Sequence, residues 1–555
     1  MITDALRNRA LWSAVAGDGR YEELLSYTKR MWERTKTVPI QALSYHDRML
    51  FYRTGDRSRF EAPYFARRNS LSAAALLSLV YPKESEYIDY VNEMLWAICD
   101  EYSWALPAHT KGDPDTDYRE IDLFNAETAF ALAEILVVLG ERVDAPVQKR
   151  VRNEIKRRIF DPFLSRVYWY ESLDSNWAAV CAGCVGGAML YLDPERFERC
   201  LSRFLRSMKL FLSGFSEEGI CMEGGSYWTY GFSNFTWFAD LLVSYTNGRI
   251  DLFDDPKVET VASFMQKIFL KGNTTVSYSD GHADERVLDS LQYYLSCRYP
   301  QTVHLLPKES CICMWGNVQW QNLVRAFLLL PPEDAVRHKP LENYDFPSAQ
   351  QSIVNGEKYS LFIKAGHNCE QHNHNDVGSF ILATDHGQVL CDLGAGLYTR
   401  EYFREETRYG IFCNSSFGHS VPIINGEGQK FGRAYAGTLV HKGDTLTVEM
   451  AGAYGQEALK GLRRRIRHTE DGIFLEDTVT GAVQLTERFI TTVAPCVEAG
   501  CVRVSNVRLS FDPSLSPEIR TEVHVGHRGE ETAVYCIDFA FPHGTERARF
   551  EFLVD

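Results

Sequence analysis

Apolar residues recur at helical spacing from the N-terminus to about residue 305. This pattern predicts about a dozen helices joined by short loops, paired in a toroid or solenoid. Gly140 and the Asp193-Pro194 step are expected to end two of the helices. The clearest predicted helices cover residues 70–81, 90–104, 126–140 and 177–192.

From about residue 350 the pattern changes to short runs that alternate or are rich in β-branched residues, which predicts strands. Turn residues separate the runs. These turn signals lie at 385–387 (Asp-His-Gly), 442–444 (Lys-Gly-Asp) and 470–472 (Glu-Asp-Gly).

A run of helices followed by a run of strands predicts two domains in a multidomain α+β chain. Pro331-Pro332 and Lys339-Pro340 interrupt the pattern between the two halves. We therefore expect a helical domain over residues 1–340 and an antiparallel β-sandwich over residues 341–555.

The charge balance narrows the possible partners. The 555 residues include 59 basic and 74 acidic side chains, a net charge of −15. Such a chain is a poor candidate for nucleic-acid binding, which needs a basic surface. A polyanionic ligand would need a local basic groove, although any single candidate is better interpreted as a solvated surface charge. The candidates are Arg67, Arg68, Lys111, Arg119, Arg400, Arg404 and Arg408.

The cysteines and the N-terminal sequence indicate the cellular compartment to expect for this protein. Among the 14 cysteines, Cys181 and Cys184 form a CxxC inside an apolar helical run and Cys311-x-Cys313 stands alone, so no second CxxC completes a zinc knuckle. We interpret most of them as buried free thiols in a reducing compartment. We expect no segment that approaches the length of a membrane span, and we expect no signal peptide. The chain therefore reads as cytoplasmic, or as periplasmic or secreted if a signal was removed.

The strongest candidate for chemistry is the cluster at residues 371–379, QHNHNDVGS. His372 and His374 are two residues apart, so on a strand they would point the same way. With Asp392 and His419 downstream, His374 would give a set of two nitrogens and one carboxylate oxygen. That set suits Zn²⁺ or another divalent ion such as Mn²⁺.

Strand geometry raises an objection to this metal site. A hairpin that turns at Asp385–Gly387 would bring Asp392 beside Phe380, about 20 Å from His374 at ~3.3 Å per residue. The chain after His374 would have to curl back, which Gly378 permits. Spacing alone therefore leaves a metal site and a set of hydrogen-bonded histidines both open.

The helical half contains two further candidates. Asn176 follows good N-cap residues and should lie in the first turn of a helix, where unpaired N–H groups favour a carboxylate ligand. It could also be part of a simple capping segment. The segment EGGSYWTYG (223–231) predicts a loop that enters a helix. Its tyrosines, Tyr227 and Tyr230, could act as acid or base, or pack in an aromatic corner.

A last group could line a cleft or satisfy polar groups between helices. It comprises Trp104, His109, Asn125 and Glu127.

Taken together, these motifs resemble the heparinase II/III-like polysaccharide lyases, including related alginate lyases. The resemblance covers most of the chain in the same order. Its most specific part is HNHNDVGSFIL, followed by Asp392 and His419. The other motifs are WALPAH, FNAETA, SNWAAVC, EGGSYWTYG, DLGAGLY and GHS.

The resemblance implies an N-terminal (α/α) toroid, a C-terminal antiparallel β-sandwich and a reactive cleft between them. It implies that the three metal candidates bind zinc and that His372 lies in the active site. Asn176 matches an Asn of the family, while Trp177 stands where a neighbouring His is sometimes found. The catalytic tyrosine falls at Tyr230 or Tyr227, and its separation from Asn176 favours Tyr230.

The implied reaction is β-elimination of a uronate-containing glycan, with a C4–C5 unsaturated product. Asn176 and His372 would bind the uronate carboxylate, and the tyrosine would take the C5 proton, protonate the leaving O4, or both. Glycosaminoglycans are the first expected substrate, and alginate or another bacterial polyuronate is the alternative. Predicted substrate contacts are Trp104, His109, Asn125, Glu127, Trp177 and Glu223.

Other functions stay open at this point. A glycoside hydrolase would use a carboxylate pair drawn from Glu127, Glu223 and Asp376. A metal-dependent hydrolase would use the metal to activate water. A non-catalytic protein would bind acidic glycans without consuming them. Homodimer formation is also open.

Overall fold

The structure is a computed structural model that describes residues 2–307, 317–338 and 341–555. The chain is divided into two compact units. Unit 1 comprises Met1–Gly214, Trp228–Ala262 and Arg286–His338. Unit 2 comprises Phe215–Tyr227, Ser263–Glu285 and Lys339–Asp555. Unit 2 thus takes in two segments from the predicted helical half, and the Lys339-Pro340 signal lies outside the described residues.

Unit 1 is helical, and all four of its clearest predicted helices are present. Among its packed pairs, α5 contacts α3 and α6, and α10 contacts α7 and α11. The helices are α1 (Ile2–Leu6), α2 (Arg9–Val15), α3 (Glu22–Thr35), α4 (Tyr45–Thr54), α5 (Ser58–Val80), α6 (Ser85–Cys99), α7 (Leu123–Leu139), α8 (Ala145–Ile155), α9 (Asp161–Ser165), α10 (Asn176–Leu192), α11 (Pro194–Ser213), α12 (Gly225–Thr246, its first three residues in unit 2), α13 (Pro256–Ala262), and, further along the chain, α15 (Asp289–Arg298) and α16 (Trp320–Leu328).

One predicted helix is shorter than expected. The helix predicted over 90–104 ends at Cys99, because the chain turns after Asp100. Trp104 lies in the loop after this helix, and its side chain folds back into the core. Its apolar position therefore continued the helical spacing in the sequence, although the residue is not helical. Its side chain is fully buried, and its indole N–H donates to the Ile98 carbonyl oxygen over 2.8 Å.

The expectation that no segment approaches a membrane span was wrong. By length and composition alone, the helical stretch Leu123–Arg142 is long and apolar enough to cross a membrane. However, 67% of its most apolar 18-residue segment is buried inside the protein. Its polar side chains have protein partners: Glu134 pairs with Arg325 at 2.9 Å. These contacts are those of a core helix of unit 1.

Unit 2 is built mainly from antiparallel strands. It also contains α14 (Phe264–Lys267) and α17 (Glu405–Arg408). Its strands are β1 (Phe269–Leu270), β2 (Thr274–Thr275), β3 (Tyr344–Phe346), β4 (Gln351–Asn355), β5 (Tyr359–Lys364), β6 (Gly366–Asn368), β7 (Phe380–Thr384), β8 (Gly387–Leu390), β9 (Ile423–Ile424), β10 (Gly432–Lys442), β11 (Thr445–Glu449), β12 (Leu459–His468), β13 (Gly472–Gly481), β14 (Leu485–Thr491), β15 (Cys496–Glu498), β16 (Cys501–Val504), β17 (Val507–Phe511), β18 (Glu518–Val525), β19 (Glu531–Ala540) and β20 (Arg547–Val554).

Within the described residues these strands form four sheets. The largest has the order β15-β16-β17-β20-β13-β12-β11-β10-β6. A five-stranded sheet has the order β3-β4-β5-β7-β8, a four-stranded sheet the order β18-β19-β14-β9, and β1 pairs with β2. One apolar core joins the three larger sheets, with Leu361, Ile466 and Phe539 as fully buried members.

The three predicted turns are confirmed by the strand registers. Thr384 pairs with Gly387, Lys442 with Thr445, and His468 with Ile473. The described cysteines are free thiols and most are buried, as predicted, whereas Cys311 and Cys313 lie outside the described residues.

Candidate active site and metal centre

The three predicted metal ligands converge in unit 2. One ligand atom each of His374, Asp392 and His419 lies within 4.8 Å of the others, and all three residues are buried. Nε2 of His374 lies 3.2 Å from Oδ1 of Asp280, and Nε2 of His419 donates to the Cys413 carbonyl oxygen over 2.9 Å. Nδ1 of each ring is therefore left for a metal.

The donor set passes a chemical test for zinc. Two imidazoles and one carboxylate are ligands that Zn²⁺ accepts, and each ring is oriented by an acceptor at its other nitrogen. Burial lowers the pKa of His374, which favours the neutral form that a metal requires. Nδ1 of His419 lies 3.4 Å from Oδ2 of Asp392. The residues present therefore fit a zinc ion.

The chain curls after His374, so the large separation from Asp392 that a straight strand would impose does not arise. Gly378 has φ +88°, and a Cβ there would overlap the Met450 sulfur. The buried guanidinium of Arg464 donates to the carbonyl oxygens of Gly378, over 2.8 Å, and Ser420, over 2.7 Å. One side chain from β12 thus secures both the curl and the chain just after His419.

His372 is held by a buried carboxylate that the sequence analysis missed. Its Nδ1 lies 2.5 Å from Oδ2 of Asp280, which is 1% exposed. His372 and Ser279 both have φ +55°, a left-handed conformation that is uncommon in side-chain-bearing residues. Such strained residues cluster at functional sites.

Asp280 is shared by groups from several segments of unit 2. Because Nε2 of His374 contacts its other oxygen, one carboxylate contacts both the candidate catalytic histidine and a candidate metal ligand. Its remaining partners are Tyr398 (2.9 Å), Tyr402 (2.5 Å) and Arg408 (3.5 Å).

The surroundings of Asp280 strongly favour its negatively charged carboxylate form. Burial acts to raise the pKa of this carboxyl, but the charges of His372 and Arg408 and the hydrogen bonds from the histidines outweigh burial. The pKa of Asp280 therefore lies well below its usual value. Gly394 packs so closely on this turn that a Cβ there would overlap the Gly281 carbonyl oxygen.

Tyr227, rather than Tyr230, lies beside His372. The ring centroids of Tyr227 and His372 are 4.2 Å apart, and the Tyr227 hydroxyl is 2.6 Å from that of Tyr398. Burial, together with the charge of Asp280, raises the pKa of Tyr227 well above its usual value. Glu223 Oε2 lies 3.4 Å from Nε2 of His372.

Tyr230 belongs to unit 1, where it lines a cavity of about 50 Å³ with Glu127, Arg68 and Gln319. Gln319 Nε2 donates to Glu127 over 2.6 Å. Burial raises the pKa of Glu127 to about 8, against the effect of its hydrogen bonds with Tyr230 and Gln319. The preference for Tyr230 rested on sequence separation. The structure instead groups Tyr227 with His372.

Asn176 takes the first helical position of α10, as predicted, and is 3% exposed. Ser175 occupies the N-cap without a side-chain cap hydrogen bond. Gly231 lies close by, since a Cβ there would be 3.1 Å from the Asn176 Cβ. Asn176 and Tyr230 thus belong to unit 1, and His372 and Tyr227 to unit 2.

Three of the predicted substrate contacts form one polar and aromatic corner of unit 1. Asp122 accepts from the Asn125 backbone over 2.7 Å and pairs with Nδ1 of His109 at 2.8 Å. The His109 ring lies 5.0 Å from Trp177, which lies 4.8 Å from Trp169, a residue that is 57% exposed. Trp104, by contrast, is packed as a core residue.

Several of the arginines considered for a basic groove are already in ion pairs. Arg67 and Arg68 both contact Glu101, at 3.0 and 2.8 Å. Arg408 is 7% exposed and faces Asp280. These three side chains support the fold and the site.

Comparison with known proteins bears on the fold. No model of a protein family matches the chain, and no curated protein matches it. Among solved structures, it is similar to heparinase III, with a TM-score of 0.64 and 13% identity over 88% of this chain and 76% of that one. The chain has the heparinase-like fold.

Two further matches support this fold. Heparan sulfate lyase HepC from Pedobacter heparinus matches at TM-score 0.57 and 12% identity, over 96% of this chain and 88% of that one. Chondroitin AC lyase from Streptomyces coelicolor A3 matches at TM-score 0.56 and 11% identity, over 99% and 82%. Helices followed by antiparallel sheets are thus common to this chain and these lyases.

Proposed function

We propose that this protein is a polysaccharide lyase that cleaves uronate-containing acidic glycans by β-elimination. The observation that carries the proposal is the arrangement of His372 on Asp280 beside the Tyr227 ring. The structures similar in fold are named as lyases of heparan and chondroitin sulfates. Glycosaminoglycans are therefore the first substrate class to test, and alginate is the second.

The proposed role of His372 is to bind the uronate carboxylate. With Nδ1–H donated to Asp280, the ring can present Nε2–H to the substrate. In this role the ring donates Nδ1–H to Asp280 and Nε2–H to the uronate carboxylate, and the second hydrogen bond offsets the enolate-like charge that develops when the C5 proton leaves. Asn176 is predicted to share this role by donating from its side-chain amide.

The proposed role of Tyr227 is proton transfer. Its raised pKa means that the phenolate is scarce at neutral pH. The phenol must then give its proton to the leaving O4 as it receives the proton from C5. The C4–O4 bond breaks, a C4–C5 double bond forms, and the phenol is restored.

The metal is proposed to be structural. Zn²⁺ bound by His374, Asp392 and His419 would supply a fixed cross-link between three segments of unit 2. His372 lies two residues from His374, so this cross-link would limit its movement. Asp280 acts from the other side, because it contacts both rings.

Unit 1 is proposed to supply a sugar platform. Trp169 and Trp177 offer apolar faces, and His109 extends this aromatic group. Apolar sugar faces pack on such rings. We also propose that the paired helices form an (α/α) toroid and that the stacked sheets form a β-sandwich.

The direct test incubates the purified protein with heparan sulfate, hyaluronan, chondroitin sulfate and alginate while ultraviolet absorbance is followed. A rise with one polymer, absent with His372→Ala, is the expected result and identifies the substrate class. New reducing ends without absorbance would instead indicate a hydrolase. Stable binding without any product would indicate a glycan-binding protein.

A further inference from the structure

A second pair of histidines converges in unit 2. His441 lies near the end of β10, and His468 is the last residue of β12. Their Nε2 atoms are 3.4 Å apart. His441 pairs across the sheet with Leu446, and Leu446 pairs with Ile466. Leu446 and Ile466 are fully buried. His468 follows at the next position of the same parity, so both imidazoles lie on the core-facing side of the sheet.

The separation of the two nitrogens matches that of two ligands on one ion. Zinc–nitrogen bonds are about 2.0–2.1 Å long, and two such bonds at a tetrahedral angle place the nitrogens about 3.4 Å apart. The observed distance between the Nε2 atoms therefore equals the separation of two nitrogens bound to one tetrahedral ion.

The surroundings orient His441 for this role. Nδ1 of His441 lies 2.7 Å from Oδ1 of Asp345, and Ser352 donates to the same oxygen over 2.6 Å. Asp345 and Ser352 are cross-strand partners in the five-stranded sheet. A carboxylate at the distal nitrogen of a histidine is a common support for a metal ligand, because it fixes the tautomer that leaves Nε2 unprotonated.

His468 is arranged in a similar way. Its Nε2 faces His441, and burial together with the charge of His441 lowers the pKa of His468, which favours the neutral ring that a metal requires. In the tautomers that carry Nδ1–H on both rings, two Nε2 lone pairs face each other. Two facing lone pairs repel, so a cation between them is favoured.

We propose that His441 and His468 form a second metal site, independent of the His374 centre, for a divalent transition-metal ion that prefers imidazole, with Zn²⁺ as the probe. Water completes the coordination, because the His441 side chain retains 15% exposure. The ion ties β10 to β12, and Asp345 links it to the five-stranded sheet. Its role is to stabilise unit 2.

The test counts zinc equivalents in the purified full-length protein, after metal removal, by calorimetric titration. Wild type is expected to bind two equivalents and His441→Ala one. The matched control His386→Ala removes an exposed histidine of another hairpin and should retain two. Asp345→Asn should weaken the second equivalent about 10–100-fold. His419→Ala should lose the first equivalent and keep the second.

Equal zinc binding by wild type and His441→Ala would overturn the proposal, as would binding of a single equivalent that His419→Ala abolishes. That second result would assign the space between the rings to a shared proton. If His441→Ala fails to fold, His441→Gln and His468→Gln preserve more side-chain volume and decide the question by the same count. The result does not depend on lyase activity.

Discussion

His372 and His374, two residues apart in the chain, contact opposite oxygens of the Asp280 carboxylate. One ring belongs to the proposed catalytic group and the other to the candidate metal centre. A change at Asp280 should therefore affect catalysis and metal affinity together, which a residue that only fills space would not do.

Asp280→Asn is expected to lower kcat by about 10²–10⁴-fold, because a neutral amide is a weaker acceptor than a carboxylate for the Nδ1–H that orients His372. Zinc affinity should fall about 10–100-fold in the same protein. Steady-state rates and zinc titration measure the two effects. Asp538→Asn, which removes another buried carboxylate that contacts arginine, is the matched control. Unchanged kcat in a folded Asp280→Asn protein would remove Asp280 from the mechanism.

Tyr227→Phe and Tyr230→Phe form a matched pair one helical turn apart. We expect Tyr227→Phe to lose at least about 10²-fold in kcat, because the proton-transfer group is gone. Tyr230→Phe should keep its activity and lose about 1 kcal/mol of stability with its hydrogen bond to Glu127. Rates and melting temperatures check both. The opposite ranking would restore the role that sequence spacing gave to Tyr230.

Asp392→Asn should bind one zinc equivalent fewer than wild type and melt at a lower temperature, because a cross-link in unit 2 is lost. Since the metal is proposed to support His372, part of the activity should survive. Zinc content, melting temperature and kcat are the measurements. Complete loss of activity without any change in melting temperature would favour a metal that acts on the reacting atoms.

Glu127 should make stability depend on pH. Its carboxyl is protonated below a pKa of about 8 in the folded chain, whereas the ordinary value is 4.5. Unfolding therefore releases a proton between these values, and stability falls by about 5 kcal/mol as pH rises from 4.5 to 8.

Glu127→Gln should lose this part of the pH dependence of the melting temperature, because the amide resembles the protonated acid at every pH. The exposed Glu141→Gln should behave like wild type. A slope in Glu127→Gln equal to that of wild type would show that Glu127 titrates normally.

Trp177→Ala is expected to raise KM for the polymer up to about 10-fold with little change in kcat, because one aromatic contact is worth about 0.5–1.5 kcal/mol. Trp96→Ala is the control, since Trp96 is 42% exposed and packs on Arg150 instead. An unchanged KM would exclude Trp177 from the binding surface.

Local signals in the sequence were sufficient to predict the main helices and three turns between strands. Hydrophobic spacing located the main helices, and short Gly-containing turns set three strand registers. Trp104 extended one predicted helix too far, because spacing cannot distinguish a helical residue from one that folds back out of a loop.

The site was harder to predict where distant segments meet. His374, Asp392 and His419 were found by motif, but their convergence depends on Gly378 and on Arg464, whose hydrogen bonds span 86 and 44 residues. Asp280 is 94 residues from His374, and its Ser279-Asp280-Gly281 setting looks like an ordinary turn. The only local signal was a carboxylate between two small residues.

The discontinuous make-up of unit 2 limits how this protein could be recombined. The second unit contains Phe215–Tyr227 and Ser263–Glu285, which carry Glu223, Tyr227 and Asp280. A cassette cut at residue 341 and joined to the helical half of a relative would leave all three behind. Exchange of intact β-halves between proteins of this fold would therefore preserve the group around His372 only where the donor of the helical half supplies a compatible tyrosine and carboxylate.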